Sequence, residues 1–280
     1  MTSEHDKLAG TGSRARTTLG ALVLLGLVAG FLSGLFGVGG GIIVVPALLM
    51  LGMDQRLAAG SSVAAILPTS IVGAIGYGIS GNIDWIAGLL LAVGIVAGAQ
   101  LGTFLLARIS KDVLFWLFVT FLAVVVVSLW LVVPERGASI PMNVWLGAAL
   151  VLTGFITGVL SGVMGVGGGI IVVPVLIVLF GASDLVAKGT SLLMMVPGSV
   201  SATIGNSRRK NVDLRVAAIV GLSACVASPL GLITATAISP FWSNLGFSVL
   251  MIGVMTQLLV KHIRARRRTA TAGDSSSTSA

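Results

Sequence analysis

The chain has 280 residues, of which 56% are hydrophobic and only 9% charged, with a mean hydropathy of +1.08. A soluble globular domain carries roughly a quarter charged residues, so that class is excluded and the long apolar runs read as membrane-spanning helices. The net charge of +8 sits in tails and short loops, as membrane orientation requires, which argues against nucleic acid as a partner; the lone Cys225 excludes an internal disulfide and a cysteine-based metal cluster.

Residues 1–16 read as a loose polar tail on the cytoplasmic side. Arg14 and Arg16 precede an apolar run that continues far past an ordinary signal-peptide core. Apolar segments are predicted at 18–52, 57–80, 84–107, 113–133, 142–181, 185–206, 214–235 and 241–260. Residues 263–280 are basic at first and end in TATAGDSSSTSA, a composition that predicts a disordered tail. The first and fifth segments exceed one ordinary crossing, and both contain the same interruption: GLFGVGGGIIVVP from Gly34 and GVMGVGGGIIVVP from Gly162.

The repeat extends beyond those stretches. Gly30 to Pro46 aligns with Gly158 to Pro174 and differs at three positions. After a one-residue shift the register continues: Gly60-Ser61-Ser62 with Gly189-Thr190-Ser191, Pro68 with Pro197, and Asn82-Ile83-Asp84 with Asn211-Val212-Asp213. The expected architecture is an all-α polytopic membrane protein made of two homologous halves, 17–137 and 138–262, of about four spans each. Gly26, Gly30 and Gly34 are spaced by four, as are Gly94, Gly98, Gly102 and Gly154, Gly158, Gly162, which places small residues on one helix face for close packing in lipid.

Each Gly-rich stretch is predicted to break or re-enter, because glycine costs up to ~1 kcal/mol relative to alanine inside a helix. If each is a single crossing, there are eight crossings and the basic residues divide roughly 13 to 4 between the two sides. If each is a hairpin, there are ten, the halves are inverted, and only Arg136 and Lys188 lie outside, roughly 15 to 2. Both schemes place the two termini in the cytoplasm; the number of crossings stays open between them.

A restarted helix presents unpaired N–H groups and a partial positive charge, which suits a small anion held by backbone amides. The candidate binding residues are therefore Gly39, Gly40 and Gly41 with Gly167, Gly168 and Gly169, joined by the hydroxyls of Ser33, Ser161, Ser61, Ser62, Thr190 and Ser191. Asp84 and Asp213, each two residues after an asparagine, read as helix caps, with a role in ion coupling as the alternative. No catalytic constellation is found, and the two histidines, His5 and His262, lie in polar flanks, so neither an enzyme nor a metal site is expected. No cofactor is expected either.

These motifs resemble the TauE/SafE family of sulfite exporters and related toluene-sulfonate uptake permeases. The resemblance rests on the duplicated glycine motif, the Gly-Ser/Thr-Ser helix start after it and the Asn-x-Asp before the third span, and it covers about residues 17–262. It implies a multi-pass transporter of a bacterial cytoplasmic membrane, without cofactor, that carries sulfite, sulfoacetate or another sulfonate. The lipid bilayer and the small anion are the partners it implies, and a homo-oligomer is left open. The residues alone leave two other readings open: an anion channel, and a scaffold whose glycines serve packing only.

Overall fold

The structure, a computed structural model, describes residues 5–105, 116, 119–120, 123, 126–127, 130 and 143–277. Apolar stretches punctuated by glycine clusters, Asp and Asn give nine helices among the described residues, and no strand. They are α1 (His5–Phe36), α2 (Gly41–Met50), α3 (Gln55–Ile79), α4 (Trp85–Leu105), α5 (Val144–Met164), α6 (Gly169–Phe180), α7 (Asp184–Arg208), α8 (Leu214–Ala237) and α9 (Pro240–Ser277). Six of these, α1, α3, α4, α5, α7 and α8, are long and apolar enough to cross a membrane; α2 and α6 are short apolar helices. Most of the predicted span 113–133, together with Arg108, Lys111, Arg136 and the boundary between the halves at 137/138, lies outside the described residues. The few positions described there are helical.

At both ends the helices run further than composition suggests. α1 begins at His5, within the stretch read as a loose tail, and α9 continues to Ser277, through the residues read as disordered. Helix propagation adds one hydrogen bond for each residue fixed, so an established span carries on into flanking residues, here even through the poor helix formers Gly, Thr, Ser and Asp.

Packing at the small residues fixes the direction of each helix. Gly26, Gly30 and Gly34 of α1 lie against Val220, Ala224 and Ser228 of α8, so these two run the same way. Gly94, Gly98 and Gly102 of α4 lie in the same sense against Val151, Phe155 and Val159 of α5. Backbones approach this closely only where no side chain intervenes, and in lipid such contact supplies much of the association between helices. α3 and α8 are also parallel, with Ala65 against Gly221 and Gly76 against Leu232. α3 and α7 are antiparallel, with Gly73 against Leu192 and Tyr77 against Gly189.

Thus α1, α3 and α8 point one way and α4, α5 and α7 the other. Since α1 corresponds to α5, α3 to α7 and α4 to α8 in the repeat, every element runs opposite to its counterpart. The halves are inverted, and each main contact joins one half to the other. Large apolar side chains such as Leu24, Leu89, Val226 and Ile233 are exposed on the outside of the bundle, which is the surface a bilayer would cover.

Candidate functional site

The interruption has the same form in both halves. α1 ends at Phe36, and the chain then passes through Gly37, Gly39 and Gly40, with φ of 70°, 74° and 73°. α5 ends at Met164 and is followed by Gly165, Gly167 and Gly168, with φ of 73°, 88° and 79°. L-residues with side chains avoid this left-handed region at a cost of roughly 1–2 kcal/mol each, so three glycines per turn are a geometric requirement.

The turn reverses the chain. A Cβ at position 40 would lie 2.7 Å from the carbonyl oxygen of Ala29, two turns back along α1. Val44 and Leu48 of α2 share one apolar cluster with Leu22, Leu25 and Ala29 of α1. At 1.5 Å per residue, α2 returns only ~15 Å, about half the hydrocarbon thickness. The broken element is therefore a re-entrant hairpin. Its counterpart, α5–α6, enters from the opposite end, where position 168 packs against Thr157 of α5.

The two hairpins meet in the middle of the bundle. A Cβ on Gly41 would lie 2.8 Å from the carbonyl oxygen of Val166, and one on Gly169 would lie 2.5 Å from that of Gly37 and 2.7 Å from the α-carbon of Val38. Ile66 of α3 and Met195 of α7, which correspond to each other in the repeat, insert between the turns and touch both Gly39 and Gly167. In this conformation the centre is filled by those two side chains.

Hydrogen bonding distinguishes the turns from their flanks. Gly37 N–H donates to Ser33 O, and the N–H groups of Ile43 and Val44 both donate to Gly40 O. Gly165 likewise donates to Ser161 O, and Ile171 and Val172 to Gly168 O. Between these, the N–H groups of residues 38–42 and 166–170 find no acceptor among the described residues. A buried amide left in this state costs about 1–3 kcal/mol. Each cluster of such donors lies at the positive end of a short helix.

The hydroxyls divide into two groups. Ser33 and Ser62 are fully buried, and their Oγ atoms have no partner. Ser191 Oγ donates to Gly37 O at 3.1 Å and lies 3.0 Å from where a Cβ on Gly169 would be, so it bridges the two turns. Ser161 is buried on α5 beside Gly168. Ser61 and Thr190 instead serve the opposite half: Asp213 N–H donates to Ser61 Oγ at 2.8 Å and Asp84 N–H to Thr190 Oγ1 at 3.0 Å.

Asp84 and Asp213 start the following helices. Asp84 Oδ1 accepts from Ala87 N–H, and Asp213 Oδ1 accepts from Arg215 and Val216. Replacing Asp213 by Ala is expected to lower stability by about 1 kcal/mol, the usual value of a cap, with no change in how flux responds to pH. Thermal unfolding in detergent and a flux–pH profile would check the two parts. Gln100 donates to both Ser201 O and Ser201 Oγ, joining α4 to α7, while Thr69 and Ser70 bond back to their own helix.

Sequence reasoning missed two features beside the turns. Thr157, whose counterpart is Ala29, has a buried Oγ1 without a partner and faces Gly168. Lys188, counted only as an orienting charge on the outer side, is the fifth residue of α7; it is 3% exposed and paired with Asp184 at 3.4 Å. The signal available for the second was the i,i+4 spacing of opposite charges at a helix start.

A family model described as "Sulfite exporter TauE/SafE" matches residues 22–184 and, in a second alignment, 150–279. A probable membrane transporter protein of Bacillus subtilis, YunE, is 26% identical over 66% of this chain and 77% of its own. One from Xylella fastidiosa is 29% identical over 76% of this chain and 83% of its own, and one from Methanocaldococcus jannaschii is 26% identical over 78% and 87%. No solved structure matches the chain.

Proposed function

The chain belongs to the sulfite exporter TauE/SafE family of membrane transporters, and from that premise we propose that it is a secondary carrier of small sulfur-containing anions such as sulfite, sulfoacetate or another organosulfonate. The observation that supports this reading best is the pair of opposed turns whose amides at 38–42 and 166–170 lack acceptors. An oxyanion offers several acceptor oxygens in one small volume, which matches a cluster of convergent donors. The hydroxyls of Ser33, Ser62, Ser161 and Thr157 add donors that orient it, while Ser191 Oγ–H is committed to Gly37 O.

In this mechanism Ile66 and Met195 partition the centre. Loading requires them to withdraw from between Gly39 and Gly167, and the hairpins, entering from opposite ends, then expose the amides to one side at a time. Helix ends aimed at mid-membrane within inverted repeats are a recurrent design for carriers of this kind. With each hairpin returning to the end it entered from, the basic residues divide roughly 15 to 2, which favours a bacterial cytoplasmic membrane with both termini inside.

The test is flux into proteoliposomes of purified full-length protein with labelled sulfite, sulfoacetate and methanesulfonate. Saturable uptake, accelerated by unlabelled anion preloaded inside, is the expected result. Uptake that never saturates and shows no such exchange would mean a channel. No flux of any of the three would overturn the reading.

A further inference from the structure

We propose that Ile66 and Met195 determine specificity at the anion site: they meet the substituent that the oxyanion carries and set how large it can be. The inference rests on the carrier reading above and deepens it.

The two side chains come from opposite halves and from corresponding places in the repeat. Both are buried, at 1% and 0% exposed, in the middle of α3 and α7. Ile66 Cδ1 lies 2.6 Å from where a Cβ on Gly41 would be and 2.8 Å from one on Gly167, and its Cγ2 lies 3.1 Å from one on Gly39. The Met195 methyl lies 2.6 Å from the same point on Gly167 and also closes the one on Gly39. Each side chain thus reaches the turn of its own half and that of the other. Gly39 and Gly167, which both side chains touch, belong to the two runs of amides that find no acceptor among the described residues.

The lining has the same order on both helices. Ser62 lies one turn before Ile66, and Ser191 one turn before Met195, so a hydroxyl and an apolar side chain share a helix face. Ser62 Oγ is buried without a partner; Ser191 Oγ donates to Gly37 O and lies 4.0 Å from Met195 Sδ. A solute held at the amides of Gly39 and Gly167 is therefore flanked by hydrocarbon that offers no hydrogen bond. An oxygen turned that way would lose its hydration without return, whereas an apolar substituent loses nothing. An anion of the form R–SO3−, with oxygens toward the amides and R toward Ile66 and Met195, satisfies both surfaces.

Withdrawal leaves the pair at the edge of the site, because each side chain stays anchored to its helix. The helices can give at this level: Pro68 and Pro197, two residues further on, supply no N–H to the carbonyls of Ala64 and Leu193. The two residues differ in stiffness. Ile66 is β-branched and held near one rotamer in a helix, whereas Met195 is unbranched and turns about three bonds. Met195 therefore yields to the substituent, and Ile66 sets the fixed limit.

The experiment uses full-length protein in proteoliposomes and whichever of labelled sulfite, sulfoacetate or methanesulfonate the wild type exchanges. Unlabelled methanesulfonate and propanesulfonate compete, and the readout is the ratio of their half-inhibitory concentrations, which is independent of how much folded protein each variant yields. Wild type is expected to favour methanesulfonate. Ile66→Ala removes more carbon than propanesulfonate adds, and is expected to improve propanesulfonate relative to methanesulfonate at least about tenfold, the range for a methylene in an apolar pocket. Met195→Ala is expected to move the ratio the same way by less. Ile66→Val, the variant mildest for folding, is expected to move it about fourfold, the equivalent of one buried methylene. A ratio unchanged in Ile66→Val and in whichever alanine variant folds, or a wild type that accepts both sulfonates equally, would overturn the inference while leaving the carrier reading intact. Failure of the wild type to move any of the three labelled anions would remove both.

Discussion

Replacing Gly30 with leucine is expected to abolish folded protein, measured as the loss of a monodisperse peak in detergent gel filtration. Even the first carbon of the new side chain would collide with the carbonyl oxygen and α-carbon of Ala224, which belong to a backbone and cannot rotate aside. Gly26 and Gly34, above and below it on the same stripe, are equally closed by Val220 and Ser228. α1 would have to separate from α8 along its length, giving up the contact that joins the halves. A cost of about 3 kcal/mol or more is expected, at the upper end of overpacking penalties. Gly20→Ala is the control: no atom lies within 4 Å of the added carbon, and alanine favours the helix, so stability should hold or rise.

The second large effect is expected at Gly168. Its φ of 79° makes alanine strained by roughly 1–2 kcal/mol, while the nearest obstacle is the methyl group of Thr157, a side chain and not backbone. Gly168→Ala should therefore insert and fold at moderately reduced yield. Relieving the strain rotates the peptide units around it, and with them the amides at 166–170. Exchange of sulfite or sulfonate is expected to fall at least about tenfold, the loss of roughly one well-aimed hydrogen bond to a charged group. Gly40→Ala should be worse in yield, because its added carbon meets the Ala29 carbonyl, which is fixed. Unchanged flux from well-folded Gly168→Ala protein would remove the turns from the transport mechanism.

Much of the architecture was written in local patterns. The duplication was legible because the glycine turn tolerates few substitutions, so its letters survive in both copies. The positions of the breaks were legible for the same reason. The sense of α2 was harder, since nothing in Gly41 to Met50 tells whether the helix continues forward or returns. That depends on three positive φ angles and on Ala29 being small enough for Gly40 to rest against, and only the distribution of basic residues hinted at it.

The hydroxyls show the limit more clearly. Ser61, Ser62, Thr190 and Ser191 are adjacent pairs with the same local context. One member of each pair serves a loop of the opposite half; of the others, Ser191 binds the Gly37 carbonyl and Ser62 is buried with no partner for its Oγ; α-helical geometry separates neighbours by about 100°. The burial of Lys188 was not legible because it is created by residues far along the chain, Gly37 and Ser243. A lysine near a segment boundary otherwise looks like any orienting charge.

The opposed directions of the halves carry an implication for which way the molecule faces at rest. Let the first half adopt the shape of the second and the second that of the first, and the proposed anion site would face the other side of the bilayer. A chain with two identical copies would spend equal time in each pose. Any standing preference must therefore arise where the copies disagree, and two such mismatches, Lys188 with Ala59 and Thr157 with Ala29, lie beside the glycine turns.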